Sequence, residues 1–395
     1  MKKKLVTSVL AAALAVGALA GCKGSSEVTE ESCKSETASE DQKAADRVAK
    51  LIDAIYVQER TEKTDDQCKE AKKAWDALTD KQKAMVSGEN ADPDYFGRDT
   101  GDASLDDPLN EDNIGDKEIL VLSFGTSFND SRVKDISKVE KSVQKAYPDY
   151  SVRRAFTAQI IINHIQARDE EKIDNVDQAM DRAVANGVKE LIVLPTHLMQ
   201  GKEYDELKEQ VSAYSDKIKN IKFASPLLGE VGKTADETNP DKETVAKAIT
   251  ANAVSDAGYA SLDEAKKDKR AFVFMGHGTS HTAKITYLQM QSQMKKLGYD
   301  NVFIGTVEGE PEETSCENII KAVKEAGYTK VILRPLMVVA GDHANNDMAG
   351  EEEDSWVSQF KASKAFEVVD AQIAGLGRLD EVEKLYVAHV ADQLK

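Results

Sequence analysis

Cysteine is scarce in this chain: four in 395 residues, at Cys22, Cys33, Cys68 and Cys316. None forms a C-x-x-C pair or shows zinc-type spacing, so neither a disulfide framework nor a thiolate metal knot is expected. Basic charge is short too. Against 70 Asp and Glu stand 52 Lys and Arg, a formal charge of −18, and a nucleic-acid backbone requires the opposite sign. Long apolar runs are missing. The longest, Leu5 to Ala20, covers 16 residues, below the ~20 a membrane-spanning helix needs. No Walker-type phosphate loop is present, so no nucleotide is expected. A chain with 41% hydrophobic and 31% charged residues is neither a polytopic membrane protein nor collagen-like, and its length allows two to three globular domains.

The first 21 residues read as a leader. Lys2, Lys3 and Lys4 precede the apolar run, which closes on Leu19-Ala20-Gly21-Cys22. A basic start, a short apolar stretch and small residues at the cut are the marks of a signal peptide. A cysteine directly behind them resembles a bacterial lipobox, which implies a lipid on Cys22 and a protein anchored to the cell membrane on its extracytoplasmic face. Residues 22–42, rich in Ser, Glu and Thr, read as a flexible tether. Over 43–88, Val48, Leu51, Ile52 and Ile55, then Ala71, Ala74, Trp75 and Leu78, recur at helical spacing. That stretch resembles a small helical module of Gram-positive surface proteins and reads as a spacer. Residues 89–116 hold ten acidic groups, one Arg and two prolines, the composition of a linker. Residues 23–116 carry 13 basic and 25 acidic groups, whereas the 279 residues that follow carry 36 and 45. Most of the net negative charge after the leader, −12 against −9, therefore precedes residue 117.

From Lys117 the pattern changes. Apolar runs at 118–124, 190–194, 271–275, 302–307 and 330–333 are separated by helical periodicity, such as Val133, Ile136, Val139, Val143 and Ala146. Near-continuous apolar strands alternating with helices predict an α/β fold with parallel sheets. An internal repeat divides it. Leu122-Ser123-Phe124-Gly125-Thr126-Ser127 matches Met275-Gly276-His277-Gly278-Thr279-Ser280, and Leu194-Pro195 through Gly201-Lys202-Glu203 matches Arg334-Pro335 through Gly341-Asp342-His343. A weaker match joins Tyr150–Ala158 to Asp300–Glu308. Two Rossmann-like halves, 117–260 and 261–395, facing one another across a cleft, are the economical reading. Ligands in such sheets bind at the carboxyl ends of the strands, and every matched motif lies there.

The halves differ at matched positions: Phe124, Ala158 and Glu203 in the first, His277, Glu308 and His343 in the second. Two imidazoles and a carboxylate form an N,N,O set suited to a divalent first-row metal. Taken singly, each has a plainer reading, as a tight turn at Gly-His-Gly, a solvated turn at Glu308 and a cap at Asp342-His343. Together, at three strand ends of one half, they point to a metal. His281 is expected beside this site, His197 near Glu203, and His164 and His389 in structural or exposed positions. Cys316 reads as a helix-packing residue.

The blocks Val121-Leu122-Ser123-Phe124-Gly125-Thr126-Ser127, Arg154-Ala155-Phe156-Thr157, His197 with Gly201-Lys202-Glu203-Tyr204, Met275-Gly276-His277-Gly278, Val307-Glu308 and the long Pro335–Met348 stretch resemble the anaerobic cobalt chelatase family, the CbiK-type sirohydrochlorin cobaltochelatases. The resemblance runs from about 117 to 395. It implies a class II chelatase fold and insertion of a divalent metal as substrate, Co2+ first with Fe2+ or Ni2+ as others, into a sirohydrochlorin-like tetrapyrrole in cobalamin-type biosynthesis. It also implies metal ligands at His277, Glu308 and His343, a proton acceptor at His277 and an active-site carboxylate at Glu203. The ring's carboxylates would meet Arg153, Arg154 or Arg334. An alternative reading is a surface lipoprotein that binds tetrapyrrole, haem or metal for uptake without turnover, because tetrapyrrole synthesis is ordinarily cytoplasmic. A homo-oligomer is compatible with either.

Overall fold

The computed structural model describes residues 39–395. The leader, the lipobox with Cys22, Cys33 and nearly all of the tether lie outside the described residues. Among the described residues no helix is long and apolar enough to cross a membrane. The chain divides into two compact units, one reaching Tyr56 and resuming over Glu70–Arg98, the other comprising Val57–Lys69 and Asp99–Lys395.

In the first unit, helix α1 (Glu40–Ile55) is capped by the Ser39 hydroxyl and buries Ala45, Val48, Ala49, Ile52 and Ile55, among them three of the four residues its spacing predicts, with Leu51 half-buried. Trp75 meets Phe96 edge-on, ring centroids 5.8 Å apart. Thr79 and Gln82 close a reciprocal capping box over the turn Asp80–Lys83.

The second unit is built on eight parallel strands in two sheets. Strands β1 (Lys117–Ser123), β2 (Ser151–Phe156), β3 (Glu190–Pro195) and β4 (Asn220–Phe223) lie in the order β2-β1-β3-β4, and β5 (Arg270–Gly276), β6 (Val302–Thr306), β7 (Lys330–Pro335) and β8 (Val368–Ala371) in the order β6-β5-β7-β8. The two orders are the same, which is the repeat seen in the sequence. The apolar runs do not show β2, β4 or β8: β2 carries Arg153 and Arg154 and is marked only by the weaker repeat match, whereas β4 and β8 are edge strands. Both are short and largely half-exposed, so they carry little hydrophobic signal.

Alternation along each strand sorts side chains between layers. Ile119 and Val121 join Phe272, Phe274 and Ile332 in one continuous core, filled further by Val139 and Val143, Val245 and Ile249, Met290 and Met294, and Tyr386 and Val390. Leu120 and Leu122 face a separate cluster on the far side of the first sheet, and Ala271, Val273 and Met275 another beyond the second. The two sheets thus share a helical layer between them. Its helices are α2 (Ser137–Ala146), α3 (Pro240–Asp256), α4 (Ile285–Lys296) and α5 (Asp380–Asp392).

Two of these helices cross over. Arg334 on β7 is hydrogen-bonded to Asn252 and Asp256 of α3, although α3 precedes the second sheet in the chain. In return α5, the last helix, packs on the first half. Tyr386 Oη donates to the Thr196 carbonyl, Tyr147 Oη to that of Val387, and Ser142 Oγ to Glu383. Each sheet is therefore finished by a helix from the other side of the repeat, which ties the two sets of strand ends together.

The acidic stretch before β1 is anchored at Asp106. Its side chain is fully buried between Arg132 (2.6 Å) and Arg154 (2.6 Å), and Arg154 also holds Glu140 (2.7 Å). Arg153 is paired with Glu118 at 2.7 Å. These contacts correct the expectation that Arg153, Arg154 or Arg334 meets a substrate's carboxylates. All three are at most 3% exposed and their charge is spent on internal partners.

Candidate functional site

Parallel register aligns the strand ends. Gly276 at the end of β5 is opposite Thr306 of β6, and Met275 opposite Pro335 of β7. The residues just beyond are then neighbours. His277 follows β5, and its carbonyl accepts the N–H of Glu308, two residues past β6, at 2.9 Å. Gly278 makes that approach feasible. Its φ is +93°, and a Cβ there would lie 2.9 Å from the Glu308 Cβ, so any other residue would force the loops apart. The buried Tyr287 hydroxyl accepts the Gly278 N–H at 3.1 Å and pins the turn.

His343 arrives from the loop after β7. That loop is held by the first half of the unit. The Asp135 carboxylate accepts the Ala340 N–H at 3.0 Å and Arg378 Nε–H at 2.6 Å, and Ser131 donates to the Ala340 carbonyl at 2.7 Å. The result places the His277 and His343 rings edge to face, 4.4 Å between centroids.

Hydrogen bonding sets what each ring offers. His277 Nδ1 is 2.9 Å from the Gly278 carbonyl. A carbonyl only accepts, so Nδ1 carries the proton and Nε2 keeps its lone pair. His343 Nδ1 is 2.6 Å from Asp347 Oδ2, which leaves its Nε2 free in the same way. A carboxylate behind an imidazole raises its basicity and fixes its plane, the usual support for a metal-binding histidine. Burial works against protonated His343, but the hydrogen bond and charge of Asp347, with Asp342 and Glu308 adding, outweigh it and lift its pKa above the ordinary value.

Glu203 stands opposite, on the first turn of a helix (Lys202–Ser212) that begins at Gly201. Its pKa is raised, chiefly by burial, while the nearby imidazoles of His277 and His343 pull the other way. The side chain nonetheless remains 55% exposed, so it presents a carboxylate to the cleft. Phe124, the repeat partner of His277, is 39% exposed, and Ala158, the partner of Glu308, is buried.

His277, Glu308, His343 and Glu203 are thus brought to one place. The expected ligands are gathered without being closed into a cage: among the described residues no group of three or more His, Cys, Asp or Glu side chains is arranged to hold a metal ion. His281 has partners of its own. Its Nδ1 accepts the Ala283 N–H and its Nε2 lies 3.5 Å from Asp205, across the cleft. His389 is buried between the Ser225 carbonyl and Asp241. Cys316 is half-buried, and burial pushes its thiol up to about 12, consistent with packing.

Sequence reasoning missed Asp347. Its spacing of four from His343, one helical turn, was the available signal. Replacing Asp347 with Asn is expected to weaken Co2+ binding by about 10–100-fold. Because the raised His343 pKa falls toward its ordinary value, the proton competes less, and the acid limb of binding moves to lower pH. Metal titration at several pH values checks both effects. An unchanged affinity and limb would show that Asp347 does not act through His343.

Three comparisons relate this chain to known proteins. Residues 117–395 match the family model described as cobalt chelatase (CbiK). The sirohydrochlorin cobaltochelatase of Salmonella typhimurium is 31% identical over 278 residues, covering 70% of this chain and 96% of that protein. Sirohydrochlorin cobaltochelatase CbiKC of Nitratidesulfovibrio vulgaris is 30% identical over 249 residues, covering 62% and 80%. Among solved structures, SirB from Bacillus subtilis with Fe3+ is similar at a TM-score of 0.48 and 14% identity, covering 70% of this chain and 95% of that one.

Proposed function

This chain belongs to the cobalt chelatase (CbiK) family, and on that premise we propose that it inserts a divalent metal, Co2+ in the first place, into a sirohydrochlorin-type tetrapyrrole. The observation that carries the reading is the pair of imidazoles in ring contact, each with Nδ1–H tied back onto an acceptor and Nε2 left with a lone pair. In this reading His277, Glu308 and His343 carry the incoming ion. An open N,N,O set suits a metal that must leave, where a closed thiolate site would retain it. Insertion removes two pyrrole N–H protons. Glu203, whose raised pKa brings it nearer a working base, takes one on its side of the cleft, and His277 takes the other once the metal has passed to the ring nitrogens. Each N–H electron pair stays on nitrogen and becomes a bond to the metal, so no nucleotide is required.

The leader supports a second part of the proposal: a lipid on Cys22 holds the enzyme at the cell membrane, on its outer face. The test is direct. Purified full chain is mixed with sirohydrochlorin and Co2+ and the absorbance spectrum followed, with and without ATP, and cell fractions are probed for the protein in parallel. ATP-independent conversion to the cobalt complex is expected, with the protein in the membrane fraction of wild type and released in Cys22→Ala. Absence of turnover, with tetrapyrrole bound, would overturn the enzymatic reading.

A further inference from the structure

His197, like His281, is a histidine near this cleft for which the chemistry above has no use, but unlike His281 its ring has no hydrogen-bond partner. It lies two residues beyond β3, on a loop fixed from several sides. Thr196 N–H donates to the Leu122 carbonyl at 2.8 Å, its hydroxyl meets Ser123 Oγ at 2.6 Å, and the His197 carbonyl accepts the Leu227 N–H at 3.0 Å. The residue is only 8% exposed, and neither ring nitrogen has a hydrogen-bond partner. Leaving a buried polar group unsatisfied is costly, and an apolar side chain would fill the space without that cost. A polar ring kept unpaired at a rigid position needs a reason.

The nearest candidate partner supplies one. His197 Nε2 is 3.8 Å from Glu203 Oε2, beyond hydrogen-bond range by about 0.6 Å. His197 is held by its loop, whereas Glu203 is half in solvent, so the carboxylate is the group that can move. Burial lowers the His197 pKa to about 4, so the ring is neutral near pH 7 and can donate one N–H without bringing a charge. A tetrapyrrole entering the cleft expels the water around Glu203 and leaves its carboxylate in need of a donor.

We propose that His197 is a positioning residue for Glu203: its Nε2–H donates to one carboxylate oxygen when the tetrapyrrole is bound and so aims the other at a pyrrole N–H. The step is then an ordinary proton transfer. The N–H bond breaks, an O–H bond forms on the unbound oxygen of Glu203, and the electron pair remains on the pyrrole nitrogen for the metal. A neutral donor serves this purpose better than a cation. An imidazolium would pull the carboxylate's pKa down and make it a poorer base. The inference rests on the chelatase reading above and adds to it an aiming group for its base.

The experiment compares wild type, His197→Phe, His197→Gln, Glu203→Gln and the Phe/Gln double variant in the full chain. Rates of Co2+ insertion into sirohydrochlorin are measured together with KM for the ring, Co2+ affinity and thermal stability. His197→Phe should lower kcat by about 10–100-fold with KM and metal affinity within about twofold. His197→Gln, whose amide still donates, should recover much of the loss. In the Glu203→Gln background His197→Phe should cost nothing further, because the group it aims is gone. Equal losses in the Phe and Gln variants, or a full further loss on top of Glu203→Gln, would overturn the proposal, as would an unaffected His197→Phe. An inert wild type overturns the chelatase reading and this inference with it. An active wild type beside indifferent His197 variants overturns the inference alone.

Discussion

His277→Ala is expected to lower the rate of metal insertion by at least about 100-fold, the largest effect of any single change at the site. The ring serves twice in the proposed mechanism, as metal ligand and then as proton acceptor, and both roles use Nε2. No neighbour can take them over. His343 is in contact with it, but its own Nε2 already fills a ligand position of the proposed set, and Glu308, whose N–H is bonded to the His277 carbonyl, fills another. Main-chain contacts survive the substitution, and the turn keeps Gly278 at its positive φ with the Tyr287 hydroxyl beneath it, so the loss should be chemical and the melting temperature nearly unchanged. The measurement is single-turnover insertion followed by absorbance, beside Co2+ titration of the same variant. Metal affinity should fall, and KM for the tetrapyrrole should move little. A variant within about threefold of wild type would remove His277 from the centre of the mechanism.

The second large effect is on stability. Arg154→Met should cost about 3–5 kcal/mol, because it leaves Glu140 buried without its counter-charge and Asp106 with Arg132 alone. Burial alone would push the Asp106 carboxyl up, yet Arg154, Ser137 and Arg132 together hold it well below its ordinary range. A depressed folded pKa means that this stabilisation is present above the ordinary aspartate value of 3.8 and is lost as pH falls through the folded one. Wild type should therefore lose this contribution only in strong acid. With Arg154 gone, burial weighs more heavily on Asp106 and its pKa is depressed less, so the gap between wild type and variant should be widest at neutral pH and shrink in acid. Thermal and urea denaturation at several pH values reads the difference. Changing Asp106 and Glu140 to their amides in the Arg154→Met background should restore part of the stability, since no buried charge then stands alone. A loss below about 1 kcal/mol in the single variant would show that the network contributes little.

This network marks where sequence reading stopped. Arg154 belongs to β2 and to one of the family-like blocks, a place where a basic group is expected to receive a substrate's carboxylates. The partner that consumes its charge, Asp106, lies 48 residues away in a stretch that composition alone describes as linker. No local pattern announces a pairing over that separation. Arg334 is a similar case, occupied by Asp256 and Asn252 from a helix that crosses over from the other side of the repeat. The edge strands β4 and β8 were silent for a different reason, being too short and too exposed to need an apolar run.

What the sequence determined by itself was periodic or repeated. Apolar strands with turn residues behind them specify parallel sheets, because side-chain alternation and burial are local consequences of composition. The offsets between Phe124 and His277 and between Glu203 and His343 disclosed two like halves, and the strand orders agree. The difference between the halves, imidazoles on one side and a carboxylate on the other, was legible as well. Only tertiary structure decided which nitrogen of each ring is left with a lone pair, which arginines are already spent, and that His197 faces Glu203 with nothing else to bond. Those outcomes depend on contacts between segments far apart in the chain, and the energy of a buried charge or an unmet N–H is set by what the fold brings within about 4 Å of it.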